Sequence, residues 1–193
     1  MKNFADKNAI ARALLETRDE TNKTYLVQTR GTSMLPFIKE GSEIVIQYAR
    51  PIDIKVGDII AFRRSINLVL HRVIGKHSFN GKVYFIEKGD DTFDTTIISE
   101  DVVIGKAVQM KGTNATIRLD QGFWAVINRI MGVYGYISSL IFDRTRFIKN
   151  KLLGERKTSF TTFSYKFFKT FASCVPVLLI SIGHIFQRKF SDR

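Results

Sequence analysis

Ser33 and His71, 38 positions apart, are the pair of side chains in this chain whose types suit nucleophilic chemistry. A serine hydroxyl is a weak nucleophile until a neighbouring base takes its proton. An imidazole, with an ordinary pKa of about 6.5, does this near neutral pH without a large environmental shift, whereas a lysine in the same role needs strong desolvation. Ser33 lies in Gly31-Thr32-Ser33-Met34-Leu35-Pro36. Gly31 lets the backbone turn sharply and Pro36 holds Leu35 extended, so the Ser33 hydroxyl and N–H are expected beside an extended substrate, with the N–H suited to an oxyanion. His71 lies in Leu68-Val69-Leu70-His71-Arg72-Val73-Ile74, and strand alternation puts it on the same face as Val69 and Val73. Taken singly, a G-x-S serine is most often an ordinary turn residue, and a histidine on an apolar face a hydrogen-bonded core residue.

A third group must hold the imidazole. Glu87-Lys88-Gly89-Asp90-Asp91-Thr92-Phe93-Asp94 is a carboxylate-rich turn after a strand, and one of its acids can bond the second ring nitrogen and stabilise the imidazolium. A solvated turn in which Asp90 bonds its own backbone is the plainer alternative. The spacing lacks the downstream glutamate of a calcium loop, and Cys174, the single cysteine, excludes an internal disulfide and a cysteine-rich zinc site. No metal or cofactor is expected.

The elements that position these groups are short β-branched and aromatic runs: 25–28, 43–48, 59–62, 68–74, 82–87, 102–110 and 115–119. Gly41-Ser42, Gly57-Asp58, Asn80-Gly81, Gly89-Asp90 and Lys111-Gly112 punctuate them. The fold class is mainly β: an antiparallel domain over 24–120, preceded by a short helical segment in 1–23 and followed by a basic helical region, 121–193. The spacing of Ile10, Ala13 and Leu14 predicts a helix over 8–17. Residues 1–20 carry eight charged side chains and no long apolar run, which reads as neither a cleavable signal nor an N-terminal anchor.

The formal charge of +12 is unevenly placed. Residues 1–120 hold 18 Lys+Arg against 15 Asp+Glu, and residues 121–193 hold 12 against 3. Apolar residues at three- and four-residue spacing predict a helix over 122–142, with Arg129 opposing a membrane span and favouring a helix laid along a surface. Residues 170–187 carry no formal charge and cover roughly 27 Å of a hydrocarbon layer about 30 Å thick, with Pro176 and His184 opposing a span. Spanning, interfacial binding and packing as an ordinary helix remain three readings of this segment. Membrane association through 121–193 is expected, on a side the charge pattern does not select; without it the chain reads as cytoplasmic.

The order of four motifs is more specific than any of them alone. Gly31-x-Ser33-Met34-x-Pro36, then Gly57-Asp58-Ile59-Ile60-Ala61-Phe62, then His71-Arg72-Val73-Ile74-Gly75, then Lys88-Gly89-Asp90-Asp91 with Asp94, resemble the signal peptidase I family over roughly residues 25–108. The likeness is to the branch of the endoplasmic reticulum, archaea and some Gram-positive bacteria. The resemblance implies an all-β catalytic fold, Ser33 as nucleophile, His71 as base and Asp94 as third residue, with Asp90 and Asp91 as substitutes. It also implies a peptide or preprotein substrate, bound as an added strand and cleaved after small residues of an A-x-A-like signal. Typical members carry an N-terminal anchor, which residues 1–20 do not supply. A LexA-like self-cleaving repressor is the competing reading, and it calls for a lysine base and an upstream helix-turn-helix. An inactive binding module with a membrane-binding tail is the other. No nucleic-acid partner is expected.

Overall fold

The computed structural model describes residues 24–111, 116–153, 170 and 174–187. The helix expected over 8–17 lies outside them. Eight strands form one antiparallel sheet: β1 (Thr24–Gln28), β2 (Glu43–Gln47), β3 (Ile59–Arg64), β4 (Asn67–Phe79), β5 (Lys82–Lys88), β6 (Thr96–Ser99), β7 (Val103–Lys111) and β8 (Thr116–Arg118). Their order is β1-β2-β7-β3-β4-β5-β6, with β8 paired to β7. The sheet curls into a half-barrel accompanied by two helices, α1 (Gly122–Leu153) and α2 (Cys174–Gln187). Register shifts at Val45/Ile46, Ala61/Phe62 and Val73/Gly75 accompany this curvature, since an extra residue on one strand bends it and increases its twist.

Strand β3 shows why the sequence reads as an unbroken apolar run. Ile59 and Ala61 enter one core, with Met34, Phe37, Ile44, Trp124 and Ile127, while Ile60 and Phe62 enter another, with Val73, Phe85 and Val103. Both faces of the strand are covered, so alternation disappears from its sequence. Each fully buried Ile or Phe stabilises the fold by about 1.5–3 kcal/mol relative to exposure.

The β4–β5 hairpin turns at Asn80 and Gly81, both with positive φ (49° and 76°), the pattern of a two-residue I′ turn. Strand β4 runs to Phe79, further than its apolar run, because backbone pairing with β5 carries the hairpin arm on through the exposed residues His77, Ser78 and Phe79. Strand β6, which follows the acidic turn 87–94 in a stretch where the sequence predicts no element, is recruited by pairing with β5.

Helix α1 extends to Leu153, beyond the expected end at 142. Its inner face packs on the sheet through Trp124, Ile127 and Met131. Gly135 lets the backbones approach: a Cβ there would meet Ile74 Cγ2 at 2.9 Å. Helix α2 is described over Cys174–Gln187, which covers about 21 Å. It docks on α1, where Phe186 stacks on Phe123 with centroids 4.4 Å apart. The described helix long and apolar enough to cross a membrane is instead Gly122–Lys151, despite Arg129.

Candidate active site

Ser33 sits in consecutive turns between β1 and β2, where Gly31 has φ +87° and its N–H donates to Glu40 Oε1 at 3.3 Å. The segment coils rather than running extended: the Leu35 N–H donates to the Thr32 carbonyl (3.0 Å) and the Ile38 N–H to that of Met34 (2.8 Å). Met34 and Phe37 bury themselves in the core and leave Ser33 half-buried at the surface. The Ser33 hydroxyl lies 3.2 Å from His71 Nε2.

His71 is buried on β4, on the same face as Val69 and Val73, with its ring edge-on to Phe62. Its Nδ1 contacts Glu87 Oε2, and Glu87 Oε1 accepts from Arg64 Nη2. Ser33, His71, Glu87 and Arg64 therefore form one chain from a hydroxyl to a surface guanidinium. Glu87 is 1% exposed, so its charge is held by these two partners rather than by water.

The carboxylate on the imidazole is thus not Asp94. Asp94 is 88% exposed and pairs at 4.0 Å with Arg146 of α1. Nor is it Asp90, which bonds Arg72 through two contacts of 2.8 Å, or Asp91, whose N–H donates to the Ser33 carbonyl at 2.9 Å. The reason is register. Continued without interruption from the Asn80-Gly81 turn, pairing would set His71 opposite Asp90 and put Lys88 on the His71 face. The shift between Val73 and Gly75 pairs Val73 with Glu87 and Arg72 with Lys88 instead, which turns Glu87 toward His71. The sequence places Glu87 in the acidic stretch, and the shifted pairing sets its face.

The Lys88-Gly89-Asp90-Asp91 turn holds the nucleophile loop rather than the base. A Cβ on Gly89 would stand 2.7 Å from the Ser33 carbonyl oxygen and 3.2 Å from both Ser33 Cβ and His71 Nε2. The glycine leaves room for hydroxyl and imidazole to meet. Asp90 anchors the turn to Arg72, which is 1% exposed and also donates to the Gly57 carbonyl (2.9 Å) and Asn128 Oδ1 of α1 (2.7 Å). Lys88, opposite Arg72, is buried with its Nζ 3.2 Å from the Gly89 carbonyl. Burial pushes its ammonium pKa below the ordinary 10.5, a shift opposed by Asp90.

A hydroxyl on an imidazole whose far nitrogen is held by a carboxylate is the arrangement that activates a serine for attack on a carbonyl. Compared with models of known protein families and with curated proteins, the chain finds no match in either.

Proposed function

We propose that the chain is a serine endopeptidase of the signal peptidase I type, cleaving after small residues in a signal or leader-like peptide. The observation that carries this reading is the 3.2 Å approach of Ser33 Oγ to His71 Nε2, with Glu87 on the opposite ring nitrogen. The ordered motifs and the half-barrel support it; the substrate class comes from the resemblance alone.

In this mechanism Ser33 Oγ attacks the scissile carbonyl carbon while its proton passes to His71 Nε2. Glu87 stabilises the imidazolium and keeps the proton on Nδ1. His71 then protonates the leaving amine as the C–N bond breaks, leaving an ester on Ser33. Water attacks that ester, giving its proton to His71, and the acid product departs as the serine is restored. Among the described residues, strand β1 stands at the end of the strand order and leads into the Ser33 loop, the place this reading gives to a substrate added as a strand. Membrane association through 121–193 belongs to the same proposal.

The test is hydrolysis of a quenched peptide carrying an A-x-A leader sequence, with products identified by mass. The parent chain should cleave after the second alanine. Ser33→Ala should abolish turnover while leaving thermal unfolding in place, and His71→Ala should cost about 10²- to 10⁴-fold. Undiminished cleavage by the Ser33 variant would remove the serine from the mechanism and overturn the reading.

A further inference from the structure

Helix α1 has two apolar faces, and the sheet covers one of them. On the other, Val126, Ile130, Val133, Ile137, Leu140 and Ile141 are each between 45% and 52% exposed. Their spacing of three and four residues draws one stripe about 22 Å long. A stripe of six β-branched or leucine side chains is more than the scattered apolar exposure of an ordinary surface. It ends in a cationic cluster: Arg144, Arg146 and Lys151 are exposed, with Asp143 beside them and Asp94 4.0 Å from Arg146.

The inner face is fastened by specific polar contacts. Asn128 accepts from Arg72 (2.7 Å) and donates to the Leu119 carbonyl (2.9 Å), and the Arg129 guanidinium donates to the Val56 carbonyl. Spanning a bilayer with this helix would break all of these and carry Arg129 into hydrocarbon, a cost of several kcal/mol for the charge alone. Laying the helix in the interface breaks none. The outward stripe enters the acyl boundary, and the cluster at the C-terminal end meets anionic headgroups. The cluster complements an anionic surface, whereas a second copy seated on the stripe brings another region with 12 Lys+Arg against 3 Asp+Glu beside it.

We propose that α1 is an in-plane anchor, docking through Val126, Ile130, Val133, Ile137, Leu140 and Ile141 on an anionic lipid surface while remaining fastened to the sheet. This rests on the membrane association proposed above, not on the peptidase assignment, and specifies docking rather than spanning.

The experiment is flotation of the full chain with vesicles of phosphatidylcholine alone or mixed with phosphatidylserine, followed by an alkaline carbonate wash. The chain should float with the anionic vesicles, bind neutral ones less, weaken with added salt and be released by carbonate. The Val133→Glu/Ile137→Glu double variant should lose about tenfold or more of its binding, whereas Thr96→Glu on exposed β6 should not. Near-ultraviolet circular dichroism establishes that each variant is folded. If the double variant is not, Arg144→Glu/Lys151→Glu replaces it, and binding undiminished by that reversal overturns the proposal. Carbonate-resistant association would mean a spanning segment, so docking fails while membrane association stands. No flotation with either vesicle ends both. A dimer that dissociates in the double variant, without lipid binding, would assign the stripe to a second copy and overturn the lipid assignment.

Discussion

The two faces of the β4–β5 pair carry ionic systems a single residue apart, and they end differently. On one face the chain Arg64–Glu87–His71 stops at the Ser33 hydroxyl, a group that can leave its bond and attack something else. On the other, Arg72 is closed by Asp90, Asn128 and the Gly57 carbonyl, all of them protein groups. The first is half open to water; the second is sealed between sheet and helix. A closed network holds structure, whereas one that ends on a mobile proton can do work. Adjacent residues, His71 and Arg72, are divided between these tasks by strand alternation alone.

By that division, disturbing one face should change rate and disturbing the other should change stability. Glu87→Gln keeps the shape but removes the charge on Nδ1. Its cleavage rate should fall about 10²- to 10⁴-fold, with a much smaller change in thermal unfolding. A rate within a few-fold of the parent's would return the orienting role to another group. Arg72→Met leaves Asp90 buried without its cation, so urea unfolding should show a loss of about 3–5 kcal/mol. A loss below about 1 kcal/mol would mean that the sealed network is not structural.

Lys88 gives the comparison a pH axis. Its pKa is lowered in the folded chain by burial, so between that value and 10.5 the unfolded chain holds a proton that the folded chain has shed. Stability should therefore rise with pH in that alkaline window, and the folded state bears the cost of a buried charge below it. Lys88→Met should be the more stable protein at neutral pH and should show a flatter rise. The rise will not vanish, because burial also lowers Lys76, whose Nζ donates to the carbonyls of Pro51, Ile52 and Ile54. An unchanged alkaline rise in the variant would exclude Lys88 as its source. The smallest effect is expected at Asp94, on neither face: Asp94→Asn should leave cleavage within about twofold of the parent.

The strands whose alternation or β-branched runs were strong, β1 to β3, β5 and β7, begin and end within about two residues of where sequence places them. Ser33 and His71 were legible because both lie on well-marked elements: a G-x-S-M-x-P turn and an apolar strand with one polar residue on one face. Glu87 was not legible as their partner, although it lies in the acidic stretch. Its direction depends on an extra residue near Gly75, where the pairing shifts. Strand β6 was missed because Thr95 and Thr96 follow an acidic turn and carry no apolar alternation of their own. The apolar reading of 170–187 counted uncharged residues. The helix described there, Cys174–Gln187, uses Gly183 to lie close on Trp124 and Ile127, and Pro176 is buried.

From sequence alone came the β-rich class, the hydroxyl and imidazole, the basic C-terminal region and the helix after Asp120, because each is written in local periodicity or composition. Tertiary structure alone decided which carboxylate contacts the imidazole, which acid is sealed beneath the helix and which face of α1 the sheet does not cover. Those outcomes hang on register. A shift of one residue in one hairpin exchanges the faces of Glu87 and Lys88, and no local pattern records a shift that arises only when two strands pair.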